Sequence, residues 1–306
     1  MSPSSPGQQR LTIAVVGLGS IGGIAAGYLA AAGRHEVIAC VRQPLTRLTL
    51  ERGGETTEVA LRALTDPAAA EPVDWVFVCT KTHATASTAP WLERLCTPAS
   101  KVAVLQNGID QVRSVAPLVG GATVLPVIVY TNAERLAADR VRFNPVGNDD
   151  YVVADDAAGR AFAALFEATP LRVRLSDDFI TLIWRKLLLN VAANPISALT
   201  LQRQAVFRRP DVQALCLGIL AEAIAVGRAE GARFAPDEAQ RIMTQLLGYS
   251  PELGTSMYFD RLAGRPLETA IPGAIVAAGE RHGIATPLTR ALFTLLSAVS
   301  DATGKT

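Results

Sequence analysis

Cysteine and histidine are scarce in this sequence, and both are scattered along it. The 306 residues include four cysteines and three histidines: Cys40, Cys79, Cys96, Cys216, His35, His83 and His282. No CxxC pair occurs, and no histidine has a partner at the spacing of a metal site or a catalytic triad. We therefore expect reduced thiols of a cytoplasmic protein, structural histidines, no disulfide framework and no metal site.

An excess of charge is also lacking, since 29 Lys and Arg face 28 Asp and Glu, for a formal net charge of +1. Nucleic acids and anionic membranes are usually bound by a clearly basic face, so neither is predicted as a partner. Residues 1–10 are polar and rich in Ser and Pro, and they lack the basic start of a secretory signal. They are predicted to form a disordered lead-in.

One long uncharged run is present, "IAVVGLGSIGGIAAGYLAAA", from Ile13 to Ala32. Its twenty residues match the length of a membrane span, and its glycines show small-xxx-small spacing. The run nevertheless divides into a β-branched strand, "LTIAVVG", and a helical pattern that stops at Gly33. A second strand, "HEVIACVR", follows at once. A strand–helix–strand unit is therefore predicted, rather than a membrane helix.

Strand and helix patterns continue to alternate, which predicts a mostly parallel, doubly wound sheet. Further strands are expected at Val73–Thr80, at Lys101–Gly108 and within 121–132, with a helix around Thr82–Leu95. Val141–Asp155 reads as two strands joined by a turn, as in an antiparallel edge.

After residue 176 only helical patterns remain. They cover residues 179–193, 211–231, 236–247, 266–282 and 287–300, with breaks at Pro195, Pro210, Gly231, Pro236, Gly283 and Pro287. We predict an α/β fold in which a Rossmann-type dinucleotide-binding domain (11–176) precedes an all-helical substrate domain (177–306).

The first strand–helix turn contains the fingerprint Gly17-x-Gly19-x-x-Gly22. In such turns the first glycine permits the tight turn, the second lets the backbone approach a pyrophosphate, and the third lets the helix pack closely on the strand. The helix N-terminus, opened by Ser20 and Ile21, offers N–H groups to phosphate. Arg42 ends the second strand, where NAD sites usually carry an acidic residue, so NADP(H) is the predicted cofactor.

Lys186, Asn190 and Asn194 are spaced i, i+4, i+8 and are predicted to share one helix face. Pro195 disfavours helix at Asn194, so a kink there is expected to turn this face toward a cleft. A lysine with two amides on an otherwise apolar helix suggests chemistry, although a lysine whose stem packs along the surface is the alternative.

These features resemble the ketopantoate reductase (2-dehydropantoate 2-reductase) family. The resemblance rests on blocks that occur in family order over nearly the whole chain: "GLGSIG", Arg42, "CTKTHAT" with Lys81, "LQNGID" with Asn107, "WRKLLLNVAANPISAL", and "GTSMYFDRLAGRPLET" with Ser256 and Glu268.

The resemblance implies NADPH-dependent reduction of a 2-oxo acid, a small-molecule substrate, to a 2-hydroxy acid. Lys186 would be the general acid, and Glu268 would bind the substrate and the nicotinamide side of the cofactor. Lys81 would lie near the adenine–ribose end. The residues implied to orient substrate or ribose are Asn107, Asn190, Asn194 and Ser256.

Three positions depart from the family pattern. Leu253 and Pro272 stand where the family often has Asn, and Gln204 aligns near another family Asn. Polar groups are thereby lost from the substrate side. We expect a substrate that is less hydroxylated or bulkier than ketopantoate.

Alternatives remain open. Opine-type or imine-type reductases and β-hydroxyacid dehydrogenases share the architecture, and a non-catalytic NADP-binding sensor could retain it. The late apolar helices could form either a homodimer interface or a domain core.

Overall fold

The protein is described from a computed structural model in which residues 10–303 are defined; most of the predicted disordered lead-in lies outside them. The chain forms two compact units. The first contains the described residues up to Gln106 together with Asp110–Phe179, and the second contains Asn107–Ile109 together with the described residues from Ile180 onward.

The uncharged run forms a strand and a helix, as predicted. Strand β1 (Thr12–Val16) is followed by helix α1 (Ser20–Ala32) and strand β2 (Glu36–Cys40), and β2 pairs with β1 in parallel. The helix ends at Gly33, which has a φ of +66°. This left-handed conformation is favoured by glycine, the usual residue at the end of a helix. The membrane-span interpretation of this run is therefore excluded by its local structure.

The predicted parallel sheet is confirmed. The remaining strands of this sheet are β5 (Arg62–Leu64), β6 (Trp75–Val78), β7 (Lys101–Val104) and β8 (Thr123–Pro126). The order is β5-β2-β1-β6-β7-β8, and every pair is parallel. Along β1, Ile13 and Val15 enter one apolar core while Ala14 and Val16 enter another. Both faces of the sheet are therefore covered, as in doubly wound folds.

Short helices of this unit are α2 (Ala89–Leu95), α3 (Gln111–Val115) and α4 (Ala157–Leu165). The helix predicted around Thr82–Leu95 is only partly present, because residues 82–84 and 86–88 form 3₁₀ turns ahead of α2.

A second sheet, not predicted from the sequence, packs near α1. Its order is β10 (Ala133–Ala137), β11 (Arg140–Phe143), β3 (Arg47–Arg52) and β4 (Glu55–Ala60). A Cβ on Gly23 would lie 2.7 Å from Val141 Cγ1, and one on Gly27 would lie 2.5 Å from Leu50 Cδ2. The small-residue spacing that resembles a membrane motif therefore serves close packing of α1 on this sheet.

One prediction about the later strands was wrong. Val141–Asp155 contains β11 and β12 (Tyr151–Ala154), but these lie in different sheets and are not an antiparallel pair. The run 121–132 is extended, as predicted, and forms two strands, β8 and β9 (Ile128–Val129), which lie in different sheets. A third sheet, of order β13-β12-β9, is completed by β13 (Val173–Ser176).

The second unit is helical from Ile180 onward, as predicted. Its helices are α5 (Phe179–Thr200, beginning at the last residue of the first unit), α6 (Pro210–Ala229), α7 (Glu238–Gly248), α8 (Ser256–Leu262), α9 (Ala270–His282) and α10 (Pro287–Thr303). Helix α8 and a 3₁₀ segment, Gln204–Arg208, had not been predicted.

The predicted break at Pro195 was wrong, because α5 continues through it. A proline inside a helix costs about 3 kcal/mol or more. Every residue from Val191 to Ala198 is buried, and burial at several positions outweighs that local cost. Asn194 consequently keeps the helical position that its spacing from Lys186 implies.

By length and composition alone, α6 is the one helix in residues 10–303 that could cross a membrane. Part of it packs against α7, α9 and α10, so it also fits the core of the helical unit. All four cysteines are free. Within the described residues, no group of three or more His, Cys, Asp or Glu side chains could hold a metal ion.

Candidate active site

Three predicted cofactor positions follow neighbouring strands of the parallel sheet. Gly17 follows β1, Arg42 lies just beyond β2, and Lys81 lies just beyond β6. Strands β2 and β5 are added on one side of β1, and β6, β7 and β8 are added on its other side. The strand order therefore reverses next to β1, which is the topological switch point of the sheet. Open α/β sheets bind ligands at the carboxyl ends of the strands at such a point.

The glycines of the turn have distinct surroundings. Gly17 has φ +96°, and a Cβ there would lie 2.8 Å from Thr80 Cγ2. A Cβ on Gly22 would lie 2.1 Å from the carbonyl oxygen of Gly17, so only glycine permits this approach of helix to turn. A Cβ on Gly19 would meet no protein atom within 4 Å. The side of the turn at Gly19 is thus open for a ligand.

Helix α1 begins at that open side, with Ser20 and Ile21 as its first residues. Its N-cap is Gly19, and no side chain caps its first N–H groups. Uncapped N–H groups and the positive end of the helix dipole favour an anion. The residues therefore fit a dinucleotide diphosphate.

Arg42 is exposed, and it makes no hydrogen bond or ion pair with any residue in the described part of the chain. Arg47, five residues further along at the start of β3, forms an ion pair instead: its Nη1 lies 3.7 Å from Glu58 Oε2. Lys81 is also exposed and precedes the 3₁₀ turn that includes His83. Arg42 is thus the cation best placed at the end of β2 to meet an added phosphate.

A glutamine network that sequence reasoning missed holds the loops after β6 and β7 together. Gln106 Nε2 donates to Thr80 O at 2.9 Å and to Thr85 Oγ1 at 3.0 Å. Gln111 Nε2 in turn donates to the carbonyl oxygens of Gln106 and Val127. The network fixes the chain immediately before Asn107. Its only sequence signal is the pair of glutamines flanking "NGID".

Lys186, Asn107 and Glu268 are joined by hydrogen bonds within the second unit. Lys186 Nζ donates to Asn107 Oδ1 at 3.0 Å, and Asn107 Nδ2 donates to Glu268 Oε2 at 3.4 Å. The three residues come from α5, from the segment Asn107–Ile109 and from the loop before α9. The amide thus lies between the ammonium and the carboxylate, with its oxygen toward the cation and its nitrogen toward the anion.

Burial of the ammonium group lowers the pKa of Lys186 to about 8, against an ordinary value of 10.5, although part of the side chain is exposed. The negative charge of Glu268 acts in the opposite direction and raises this pKa. Lys186 is thus mostly protonated at pH 7 yet readily gives up its proton. These are the properties of a general acid at neutral pH.

The remaining predicted substrate residues lie on α5 and α8. Asn190 and Asn194 continue the helix face of Lys186, and within residues 10–303 neither side chain makes a hydrogen bond. Ser256 is exposed at the start of α8, and the preceding Thr255 is hydrogen-bonded through its Oγ1 to Ser197 Oγ of α5 at 2.6 Å. Ser256 is thereby tied to α5 through its neighbour, although it does not itself join the Lys186 group.

The positions that depart from the family pattern differ in character. Leu253 is 47% exposed in the loop that leads to Ser256. Gln204 is buried, and its Oε1 has no hydrogen-bond partner. Pro272 is buried in the first turn of α9, where proline is tolerated. Of the three, Leu253 adds exposed apolar surface beside a predicted substrate residue.

Comparison with known families gives two matches that together span most of the chain. A model described as "Ketopantoate reductase PanE/ApbA" matches residues 13–155, and one described as "Ketopantoate reductase PanE/ApbA C terminal" matches residues 178–300.

Individual relatives agree with this. The chain is 36% identical over 290 residues to a 2-dehydropantoate 2-reductase of Caulobacter vibrioides, covering 94% of this chain and 99% of the relative. It is 38% identical over 295 residues to one of Mycobacterium tuberculosis, covering 95% and 99%. A solved structure of a dimeric ketopantoate reductase from Staphylococcus aureus matches with a TM-score of 0.85 at 26% identity, covering 96% and 100%.

The open side of the turn yields a direct test of the dinucleotide site. Gly19 has φ −77°, which alanine adopts without strain, so Gly19→Ala is expected to leave the thermal midpoint unchanged. Its methyl group would occupy the space next to the diphosphate and weaken NADPH binding about tenfold or more, or ~1.4 kcal/mol. The dissociation constant is measured by fluorescence titration.

Gly248→Ala is the matched control, because Gly248 also has open space around it and lies at the end of α7, away from the turn. It is expected to alter neither quantity. Gly22→Ala, by contrast, is expected to lower the thermal midpoint. Wild-type affinity in Gly19→Ala would show that the turn does not hold the diphosphate.

Proposed function

The chain belongs to the ketopantoate reductase family and is an oxidoreductase acting on CH–OH groups, and we propose on this premise that it reduces a 2-oxo acid to the 2-hydroxy acid with NADPH. The substrate is 2-dehydropantoate or a related 2-oxo acid. One observation carries the proposal: the buried Lys186 ammonium, with its lowered pKa, hydrogen-bonded to Asn107.

The first unit binds the cofactor. Gly17, Gly19 and Gly22 form the turn for the diphosphate, and the first N–H groups of α1 donate to it. Arg42 pairs with the 2′-phosphate, and Lys81 lies at the adenine–ribose end. When bound, NADPH supplies the hydride for the carbonyl carbon.

The second unit supplies the proton. As the carbonyl is reduced, the π electrons move onto its oxygen, which gains negative charge. Lys186 Nζ donates a proton to that oxygen, giving the hydroxyl group, and the neutral amine then recovers a proton from water. A buried cation next to the developing charge also stabilises it before the proton moves.

Asn107 positions the lysine, and Glu268 keeps it protonated. The amide accepts from Nζ and donates to the carboxylate, so Glu268 holds the amide in the orientation that directs its oxygen at the ammonium. Asn190, Asn194 and Ser256 bind the substrate. Amides and hydroxyls hold oxygen atoms without adding charge, which suits a substrate that already carries a carboxylate.

A less hydroxylated or bulkier 2-oxo acid is the second candidate substrate. Leu253, half-exposed near Ser256, favours it, because an apolar side chain at this place contacts an alkyl or aryl group better than a hydroxyl.

Opine-type or imine-type reduction, β-hydroxyacid oxidation and a non-catalytic NADP sensor are the competing activities. The four free cysteines support a cytoplasmic enzyme.

A substrate panel tests the reaction. Ketopantoate, short aliphatic 2-oxo acids and aryl 2-oxo acids are supplied with NADPH, with and without ammonia or amino acids, and NADPH absorbance is followed. We expect turnover without an amine. Lys186→Gln is expected to lower kcat about 10²–10⁴-fold with NADPH affinity unchanged, because it removes the proton donor.

Lys101→Gln is the matched lysine control, since Lys101 lies on β7 over the ring of Trp75. It is expected to retain activity. Amine-dependent turnover would favour the opine-type reaction, and full activity in Lys186→Gln would favour another proton donor. A clear preference for ketopantoate would exclude the second candidate substrate.

The pH dependence tests the roles of Lys186 and Glu268 together. Because the protonated lysine is the donor, kcat/KM for reduction is expected to be level below pH 8 and to fall tenfold per unit above it. Glu268→Gln removes the charge that raises the pKa of Lys186, so the fall is expected to begin at lower pH. Glu230→Gln, which removes a surface carboxylate beside His282, is the control. It is expected to leave the pH dependence of kcat/KM unchanged. An unmoved profile in Glu268→Gln contradicts the assignment.

Arg42 is the proposed determinant of cofactor choice. Because a charged hydrogen bond contributes about 1.5–3 kcal/mol, Arg42→Ala is expected to weaken NADPH binding roughly 10–100-fold and to leave NADH binding unchanged. Arg62→Ala, on β5 and paired with Glu36 at 2.9 Å, is the control for loss of one positive charge. Equal weakening of both cofactors in Arg42→Ala would argue against a 2′-phosphate contact.

A further inference from the structure

Asn107, which accepts a hydrogen bond from the Lys186 ammonium, lies between two residues that differ in how firmly they are held. Gly108 follows it with φ +101°, a conformation that favours glycine, and a Cβ there would meet no protein atom within 4 Å. Gln106 precedes it and is buried, with hydrogen bonds to both its side chain and its carbonyl oxygen. The orientation of Asn107 is therefore set from the Gln106 side.

Gln111 holds the peptide group that joins Gln106 to Asn107. Its side-chain nitrogen, Nε2, donates to the carbonyl oxygen of Gln106 and, at 3.2 Å, to that of Val127. The carbonyl group of Gln106 and the backbone nitrogen of Asn107 belong to one planar unit. Fixing the oxygen of this unit therefore also fixes the direction in which the chain enters Asn107.

The side chain of Gln106 anchors the same peptide group through the loop after β6. Its Nε2 donates to Thr80 O at 2.9 Å and to Thr80 Oγ1 at 3.1 Å, and its Oε1 accepts from Thr85 Oγ1 at 3.3 Å. Gln106 is 5% exposed and Gln111 is 3% exposed. Hydrogen bonds between groups removed from water are stronger than those at the surface, so the two amides hold this peptide firmly.

Gln111 is not the side chain that packing alone would favour at its position. Its side-chain oxygen, Oε1, is buried and has no hydrogen-bond partner within residues 10–303. A buried acceptor without a partner is unfavourable, and an apolar side chain of similar length, such as methionine, would avoid that penalty. The property that distinguishes Gln111 from such a residue is its pair of N–H donors.

We propose that Gln111 and Gln106 are positioning residues for proton transfer, because they hold the Gln106–Asn107 peptide in the orientation that directs Asn107 Oδ1 at the Lys186 ammonium. The proposal rests on the proposed role of Lys186 as proton donor. Neither glutamine is charged, and Glu268, the carboxylate that acts on Lys186, stays in place when either is substituted. An effect of their substitution on Lys186 is therefore expected to act through Asn107.

The pH dependence of kcat/KM in Gln111→Met tests the proposal. Methionine has no N–H group, so the peptide before Asn107 loses its donor and the amide is displaced. A hydrogen bond to the charged form of a lysine raises its pKa, so loss of the Asn107 contact is expected to move the alkaline fall to lower pH. We expect kcat to decrease roughly 10–100-fold, the size of effect that small misplacements produce, with NADPH affinity unchanged.

The same substitution in an Asn107→Ala background separates positioning from general damage. Without the Asn107 amide there is nothing for Gln111 to position, so Gln111→Met is expected to cause no further decrease in kcat and no further shift with pH. Circular dichroism establishes that each variant is folded. Gln106→Met is expected to give the same results and supplies the comparison if Gln111→Met does not fold.

Ser100→Ala is the matched control for loss of buried hydrogen bonds. Ser100 lies just before β7, whereas Gln106 lies beyond the other end of that strand. Its Oγ donates to Val73 O at 2.7 Å and accepts from Thr97 N at 3.0 Å. Ser100→Ala is expected to lower the thermal midpoint and to leave the pH dependence of kcat/KM unchanged.

Two results would overturn the proposal. One is a wild-type kcat and pH dependence in folded Gln111→Met or Gln106→Met. The other is an equal loss from these substitutions in the Asn107→Ala background, which would show that they act by another route. Full activity of Lys186→Gln would instead overturn the proton donor on which the proposal rests, so the two failures are distinguishable.

Discussion

The hydrogen-bonded group formed by the buried ammonium of Lys186, Asn107 and Glu268 is the interaction on which the candidate site of the helical unit depends. Burial lowers the pKa of Lys186, the negative charge of Glu268 opposes that lowering, and Asn107 accepts a hydrogen bond from Nζ. An unbroken α5 is needed to hold the lysine and both helix asparagines on one face, and buried packing through Pro195 maintains that helix.

The glycine-rich turn between β1 and α1 depends instead on an absence of side chains. Gly17 and Gly22 allow backbone to approach backbone, and Gly19 leaves space that no protein atom enters. Two further glycines of α1, Gly23 and Gly27, admit side chains from the second sheet. One helix therefore needs glycine on several sides for different partners, which explains why the run looks like a membrane segment in sequence.

Much of the fold could be predicted from local pattern, because β1, α1 and β2 are contiguous and their periodicity is strong. Strand pairing between distant segments could not, and for that reason the assignment of β11 and β12 to separate sheets was missed. The buried surface that carries α5 past Pro195 is likewise a tertiary property. Lys186, Asn107 and Glu268 could be named from motifs, but the relay of hydrogen bonds between them, and the Gln106 network, depend on contacts between residues far apart in the chain.

Asn107–Ile109 belongs to the helical unit, although the chain on both sides belongs to the first unit. A gene fragment beginning at residue 180 would encode every helix that follows but would lack the amide partner of Lys186. Recombination that joined this helical half to a foreign nucleotide-binding half would bring in a different residue at that place. The helical unit therefore needs this short segment, which is encoded within the sequence of the other unit, to complete the hydrogen-bonded group around Lys186.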